Sequence, residues 1–297
     1  GKYYMTLGAR TREGCGEVLI YQSDDLRRWE HINVIATPEP FGYMWECPDL
    51  FQVDGQWILA VSPQGIKPYG HIGQNVYSCG YFPFYGDFRG EYTLGEYREL
   101  DCGFDYYAQQ SFAAPDGRRI ALGWMGMPDA DYTNPTAAFG WQHCLSVPRE
   151  LHWTNGGLTA WPVRELEQLR KDVRIIDFSD TVRREAGPAF DLELENRGCR
   201  LTVALEGAAA ICWEDGLLTL TLDEACGSGR TVRTAAVHKL RSLRLLVDSS
   251  SLELFLNDGE QVVTSRFYPE EPRYLRLEGE GTAKLYDMDA MGMKTIQ

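Results

Sequence analysis

Short stretches in which apolar and polar residues alternate dominate this chain. Residues 49–53 and 56–61 alternate in this way on either side of Asp54-Gly55, a dipeptide typical of two-residue turns between antiparallel strands. Other alternating stretches are 119–124, 190–195, 200–205, 217–222, 243–247 and 252–256. Strands at this spacing, with turn residues between them, predict an all-β fold.

One segment departs from this pattern. Pro162 stands near a first helical turn, and Val163, Leu166 and Leu169 recur at helical spacing, which predicts a short amphipathic helix. The composition changes at the same place, because 28 of the 36 aromatic residues lie at or before Trp161. We therefore predict an aromatic-rich domain, a helical linker and a second β domain, with the limits 1–161, 162–174 and 175–297.

Charge and cysteine usage exclude several classes of partner. Lys and Arg number 29 against 43 Asp and Glu, a net charge of −14, so neither nucleic acid nor a membrane surface is an expected partner. The eight cysteines lack C-x-x-C spacing and the five histidines are scattered, so we expect no metal and no cofactor. Reduced thiols favour a cytoplasmic location. Aromatic rings stack on the apolar faces of sugars, so the aromatic-rich domain is compatible with binding of a small carbohydrate, although aromatic residues are also common in β cores.

The densest group of chemically useful residues is Trp45-Glu46-Cys47-Pro48-Asp49, at the entrance to a predicted strand. An indole, a thiol and a proline surround Glu46, and poorly hydrated neighbours disfavour a charged carboxylate, which suits a general acid. The residues alone leave another interpretation open: Glu46 is one of 43 acidic side chains, and most of these are solvated at the surface.

Residues 45–51, Trp-Glu-Cys-Pro-Asp-Leu-Phe, resemble the acid/base motif of glycoside hydrolase family 32, the invertase, sucrose-6-phosphate hydrolase, inulinase and levanase group. Residues 104–112 are similar to another family motif, with Gln109 where proline is usual. Further similar segments follow the family order: 1–8, 16–29, 118–125, 145–151, 247–259 and 264–269. The resemblance covers the chain from residue 1 to about 289.

The resemblance implies a five-bladed β-propeller followed by a β-sandwich, in an enzyme that cleaves β-fructofuranosidic bonds with retention of configuration. Retention requires two carboxylates about 5 to 5.5 Å apart, one as nucleophile and one as acid and then base. The motif assigns the acid/base role to Glu46 and an orienting role to Asp49, for which turn capping is the alternative. The remaining residues expected to line the sugar pocket, or else to belong to the propeller core, are Trp45, Asp105, Tyr107 and Trp124.

Two family motifs have no counterpart in these 297 residues. The nucleophile's string, Trp-Met-Asn-Asp-Pro-Asn-Gly, and the Arg-Asp-Pro string do not occur. A blade takes roughly 40 to 55 residues, so residues 1–161 supply about three blades. We expect a shortened chain that is inactive alone, or an assembly in which a second copy or another chain covers the open propeller edges. A non-catalytic carbohydrate-binding protein is the alternative.

Overall fold

The computed structural model describes residues 1–270 and 273–292. Strands form nearly all of the regular structure in these residues, as the alternating pattern predicts. The described helices are three 3₁₀ helices, Pro135–Phe139, Arg164–Leu169 and Asn257–Gly259, and one α-helix, Glu224–Gly227. Among the described residues, none of these helices has the length and apolar character needed to cross a bilayer.

The chain divides into two compact units. The first unit comprises Gly1–Ala130 and Cys144–Thr159, and the second comprises Asp131–His143 and Ala160–Gln297. The segment 131–143 groups with the second unit because buried arginines hold it there; the Arg230 guanidinium, for example, donates to the carbonyl oxygen of Thr133 at 3.1 Å. No local pattern in the sequence indicated this grouping, and the domain limits drawn from the sequence stay a prediction.

The first unit contains three antiparallel sheets, which correspond to the predicted blades. The first sheet consists of β1 (Tyr3–Arg10), β2 (Gly16–Ser23) and β3 (Glu30–Ile35). The second consists of β4 (Met44–Val53), β5 (Gln56–Gln64), β6 (Gly80–Gly86), β7 (Tyr92–Leu94) and β8 (Arg98–Glu99). The third consists of β9 (Tyr107–Ala113), β10 (Arg119–Met125), β11 (Cys144–Leu145), β12 (Arg149–Thr154) and β13 (Gly157–Pro162), whose last three residues are counted in the second unit.

The predicted Asp54-Gly55 hairpin is present between β4 and β5. Both turn residues have positive φ, +47° and +84°, the backbone that a two-residue turn between twisted strands requires.

Trp45 lies at the centre of the packing between the first two sheets. Its side chain is fully buried among a cluster of apolar residues: Val18, Ile20, Ile35, Leu59, Val61, Phe82 and Phe84. Gly8 and Gly16 on the first sheet allow this close approach, because a Cβ at either position would collide with Trp45. The indole N–H donates to the carbonyl oxygen of Phe41 at 2.6 Å, so the buried polar atom is satisfied.

The second unit is a β-sandwich of antiparallel strands. Its strands before the turn at 206–208 are β14 (Arg170–Phe178), β15 (Thr181–Ala186) and β16 (Phe190–Leu205). The remaining strands are β17 (Ala209–Glu214), β18 (Leu217–Leu222), β19 (Val232–Ala236), β20 (Ser242–Asp248), β21 (Ser251–Leu256), β22 (Gln261–Arg266) and β23 (Arg273–Met288). The core is formed by their inward-facing leucines and valines, such as Leu192, Leu254 and Leu285.

Two long strands pass from one face of the sandwich to the other. The sequence predicts separate strands at 190–195 and 200–205, but the structure joins them in β16, which pairs with β20 along its first part and β17 along its second. β23 pairs with both parts, and the register shifts where Gly279 adopts a φ of +127°. A Cβ there would lie 2.6 Å from the Arg200 carbonyl oxygen, so glycine permits the shared bend.

The helix predicted within the linker 162–174 is shorter than its pattern suggests and has 3₁₀ geometry. β13 continues to Pro162 and β14 begins at Arg170, so seven residues remain between them, and six of these form the helix. Leu166 is its only buried side chain. Strand pairing on both sides therefore limits a segment whose spacing alone favours an α-helix.

A buried ion pair joins parts of the first unit that are distant in sequence. The Arg149 guanidinium at the start of β12 donates to Asp101 Oδ2 at 2.9 Å, and both side chains are almost wholly excluded from solvent. Arg149 also lies over the ring of Tyr106, 4.1 Å from its centroid. Removing one member of such a pair leaves an uncompensated charge in a medium of low polarity.

We therefore expect Asp101→Ala to destabilise the first unit by about 3 to 5 kcal/mol. Urea unfolding followed by tryptophan fluorescence measures this, since five of the eight tryptophans lie in the first unit. The matched control is Asp87→Ala, which breaks the exposed pair between Asp87 and Arg89 and should leave the urea midpoint unchanged. If both variants lowered the urea midpoint equally, burial would not make the Asp101–Arg149 pair more important for stability than the exposed pair.

Candidate active site

A β-bulge in β4 determines where Glu46 points. Glu46 is opposite Ser62 on β5, whereas Asp49, three residues later, is opposite Ala60, so β4 contains one extra residue. Residues three apart in an unbroken strand face opposite sides of the sheet, and the extra residue brings Glu46 and Asp49 to the same side. Cys47 accommodates the bulge with a φ of +48°.

A second bulge occurs at the start of β9. Tyr107 is opposite Trp124 on β10, and Gln110 is opposite Leu122, so two residues of β9 between these pairs face one residue of β10. Ala108 takes up the difference with a φ of +52°. In both strands, therefore, the residue directly after the predicted functional side chain has a left-handed backbone, which a residue with a Cβ rarely adopts.

Glu46 and Tyr107 meet across two different sheets. The buried Tyr107 hydroxyl donates to Glu46 Oε2 at 2.8 Å and lies 3.4 Å from the Ser62 carbonyl oxygen. Burial raises the pKa of Tyr107, and the hydrogen bond to Glu46 and the charge of Glu46 raise it further. Tyr107 is therefore a neutral donor that fixes one carboxylate oxygen of the half-buried Glu46.

Two more contacts clamp β4 to β9 beside this pair. The Asp49 carboxylate accepts hydrogen bonds from the backbone N–H and the hydroxyl of Ser111, at 2.8 and 2.6 Å. The Gln110 side chain donates to the carbonyl oxygen of Cys47 at 3.0 Å. Burial raises the pKa of the Asp49 carboxyl, although the Ser111 hydrogen bonds act in the opposite direction. The clamp explains the orienting role expected for Asp49.

A hydrogen bond to Ser62 stabilises the strained turn at Ala108. The Ala108 N–H donates to Ser62 Oγ at 3.2 Å, and the Ser62 hydroxyl lies 3.7 Å from the sulfur of Cys79. Burial raises the pKa of Cys79 to about 11, so the sulfur is a neutral thiol. The N–H that the bulge removes from regular strand pairing therefore has an acceptor, which stabilises the turn that carries Tyr107.

Aromatic and amide side chains surround the Tyr107 hydroxyl and ring. Trp124 is half-buried, and its ring lies 6.4 Å from that of Tyr107 in an edge-to-face arrangement. The ring centroid of Tyr77 lies 6.0 Å from that of Tyr107. The Gln64 side chain acts against the effects of burial and of Glu46 and lowers the pKa of Tyr107. Such rings, with a few polar groups among them, form the kind of surface on which a sugar stacks.

Comparison with known proteins identifies the family. The sequence model described as the glycosyl hydrolases family 32 N-terminal domain matches residues 1–162, and the model of the family 32 C terminal matches residues 218–291. The chain belongs to glycoside hydrolase family 32.

Curated relatives in this family include bacterial sucrose-6-phosphate hydrolases. The Bacillus subtilis protein is 34% identical over 285 residues, which cover 91% of this chain and 60% of the relative. The Klebsiella pneumoniae protein is 37% identical over 292 residues, which cover 94% of this chain and 60% of the relative. The chain thus spans 60% of the length of each of these two relatives.

Solved structures of family 32 proteins resemble this chain closely. The sucrose-6-phosphate hydrolase from Lactobacillus gasseri superposes with a TM-score of 0.88 at 29% identity, over 97% of this chain and 64% of that one. The β-fructofuranosidase of Bombyx mori gives 0.85 at 30% identity, over 97% and 63%. These similarities confirm the predicted family and its architecture, a partial propeller followed by a sandwich.

The residues that the family motifs single out divide into two groups in the structure. Glu46, Asp49, Tyr107 and Trp124 lie together, as the interactions above describe. Trp45 and Asp105 are both 0% exposed, so Trp45 packs in the core beneath Glu46 and Asp105 has no solvent-accessible surface. The sugar contacts expected of the predicted residues stay predictions. Among the described residues, no group of three His, Cys, Asp or Glu side chains is arranged to hold a metal ion.

Sequence reasoning missed the residues that hold this family 32 site together: Ser62, Gln64, Tyr77, Gln110 and Ser111. Only the last two had a usable signal, since they directly follow Gln109 in the Tyr107 motif. The others act through the pairing of strands that are distant in sequence, and their residue types are common throughout the chain.

We expect Glu46→Gln to lower the pKa of Tyr107. The change removes the negative charge that disfavours ionisation of the phenol, while burial remains and keeps this pKa above that of a solvated tyrosine. Tyrosine labelled with ¹³C at Cζ, followed by NMR as the pH is raised, measures the effect. The exposed Glu13→Gln is the control and should leave the Tyr107 titration unchanged. A Tyr107 titration that is identical in Glu46→Gln would show that the two groups do not interact.

Proposed function

We propose that this chain supplies the acid/base part of a retaining glycosidase that cleaves β-fructofuranosides such as sucrose 6-phosphate or sucrose. The observation that carries the proposal is the 2.8 Å hydrogen bond from Tyr107 to Glu46, made by two strands that are each bulged at the following residue. The curated relatives named sucrose-6-phosphate hydrolase support the choice of substrate class.

In this mechanism Glu46 first acts as an acid. With Oε2 held by Tyr107, the proton on the other carboxyl oxygen passes to the glycosidic oxygen as the bond to the fructosyl unit breaks. The resulting carboxylate then removes a proton from the water that releases fructose, which restores the acid. The hydrogen bonds between Asp49 and Ser111 hold β4 against β9, so the orientation of Glu46 is set before the substrate binds.

A retaining mechanism also requires a nucleophilic carboxylate. Asp49 lies on the same strand as Glu46, and its carboxylate accepts a hydrogen bond from the Ser111 hydroxyl. This contact suits an orienting role. The family's Asn-Asp-Pro-Asn and Arg-Asp-Pro strings are absent from these 297 residues. We therefore propose that the 297 residues alone do not turn over substrate, because the acid lacks its partner nucleophile.

A non-catalytic carbohydrate-binding protein is the second candidate. The rings of Tyr77, Tyr107 and Trp124 favour it, since aromatic rings bind sugars with or without chemistry. The two functions differ in what Glu46 contributes. A binding protein needs the rings, whereas a glycosidase needs the Glu46 proton.

The test fuses this chain to a protein segment that is expected to supply the second carboxylate. The part of the Bacillus subtilis relative that precedes the matched region is fused ahead of Gly1, and release of fructose from sucrose 6-phosphate is measured for the fusion and for the unfused chain. We expect turnover on the order of 1 to 1,000 per second from the fusion, and none above the blank from the unfused chain. Glu46→Gln in the fusion should lower kcat by about 10² to 10⁴.

Glu13→Gln in the fusion is the matched control and should retain full turnover. Circular dichroism and a cooperative thermal transition establish that each fusion is folded. A folded fusion without turnover, or turnover that survives Glu46→Gln, would contradict the acid/base assignment. Turnover by the unfused chain would contradict the need for a second carboxylate from outside these residues.

A further inference from the structure

The sandwich of the second unit has an edge strand that is open to solvent. β14 pairs with β23 along one side, and no strand among the described residues pairs with its other side. The unpaired N–H and C=O groups of such an edge can bind a strand from another chain, so native proteins usually protect it. β14 contains no proline or glycine that would interrupt such a pairing.

Two apolar side chains are exposed in the middle of this strand. Val173 is 51% exposed and Ile175 is 68% exposed, although branched apolar residues are ordinarily buried. They alternate with the strand period, so both point to the same face of the sheet, where they lie opposite Tyr286 and Lys284 of β23. Ile176, between them and the next turn of the chain, is buried on the other face. Val173 and Ile175 thus form a small apolar patch beside open backbone.

Opposite charges flank this patch. Lys171 precedes it and Asp177 follows it, and their side chains are 54% and 73% exposed. Within the chain they make exposed ion pairs, with Asp289 and Arg197, and Asp177 also accepts a hydrogen bond from the Thr282 hydroxyl. Exposed ion pairs contribute little to stability and rearrange easily, so both charges are available to a partner.

The order cation, apolar pair, carboxylate makes β14 complementary to a second copy of itself. Two identical strands that run antiparallel about a two-fold axis at the middle of β14 place Val173 of one copy opposite Ile175 of the other. In the same register Lys171 lies opposite Asp177. Each of these contacts occurs twice, because a two-fold interface uses the same surface on both copies.

Neither the central arginine of β14 nor a nearby bulge prevents this pairing. Arg174 lies at the two-fold axis, but its guanidinium is bound to Asp287 and donates to the carbonyl oxygen of Glu185, so its charge is offset within its own chain. The register of β14 on β23 shifts just before Val173. The long, flexible side chain of Lys171 can span this irregularity.

We propose that two copies of this chain associate through β14, so that their sandwich sheets join across a two-fold axis. The partner is a second copy because the strand is complementary in charge and in apolar positions to itself. The surface is distinct from the open propeller edges, and the proposal does not depend on the proposed function. The net charge of −14 on each copy opposes association, and the local pairing of opposite charges offsets this repulsion.

Sedimentation velocity of the full chain between about 1 and 100 μM measures the association, in a reducing buffer that keeps the exposed cysteines from cross-linking the copies. A small interface predicts a Kd on the order of 10 μM. Ile175→Asp should raise this Kd by about tenfold or more and leave the thermal unfolding midpoint unchanged, because the side chain is mostly exposed. Val232→Asp is the matched control and should keep the Kd, since Val232 is exposed on β19, the edge strand at the other end of the sheet.

Charge reversal tests the register. Lys171→Glu or Asp177→Lys alone brings like charges together, and each should raise the Kd by about tenfold. The double variant restores opposite charges across the axis and should return the Kd to within about threefold of the unmodified chain.

Several outcomes would overturn the proposal. A monomer at every concentration would do so, as would a dimer that persists in Ile175→Asp or a double charge variant that associates no better than the single variants. Leu7→Asp on β1 tests the open edge of the first sheet. A dimer that is lost in this variant but retained in Ile175→Asp would assign the association to the first sheet and contradict the role of β14.

Discussion

The candidate site depends on two β-bulges, one in β4 and one in β9, which belong to different sheets. Cys47 follows Glu46 and Ala108 follows Tyr107, and both have left-handed backbone without being glycine. Each bulge turns the side chain before it out of the regular strand alternation. Without them, Glu46 and Asp49 would point to opposite faces of the sheet, and the hydrogen bond from Tyr107 to Glu46 would not form.

Left-handed backbone at a residue with a Cβ costs about 1 to 3 kcal/mol, so the surrounding structure must hold each turn in place. At Cys47 the backbone carbonyl accepts a hydrogen bond from Gln110, and at Ala108 the N–H reaches Ser62. The Asp49–Ser111 contact adds a charge-assisted link between the same strands. The fully buried Trp45 supports β4 from the opposite side. Packing and hydrogen bonding thus supply the orientation that the proposed acid/base chemistry requires.

Much of the fold could be predicted from local patterns, whereas the assembly of the site could not. Alternation predicted the strands, and Asp54-Gly55 predicted a hairpin, because both features act between near neighbours. The bulges at Cys47 and Ala108 have no such signature, since neither residue type favours positive φ. The contacts of Ser62 arise only once β5 packs near β9, and the burial of Trp45 by residues of distant strands does not show in its motif.

The interaction between Glu46 and Tyr107 is tested most directly by a double-mutant cycle. The free energy of unfolding of the first unit is measured for the unmodified chain, Glu46→Gln, Tyr107→Phe and the double variant. A direct hydrogen bond to a carboxylate predicts a coupling energy of about 1 kcal/mol or more. Effects that add to within about 0.3 to 0.5 kcal/mol would show that the two residues are independent and would contradict the site as described.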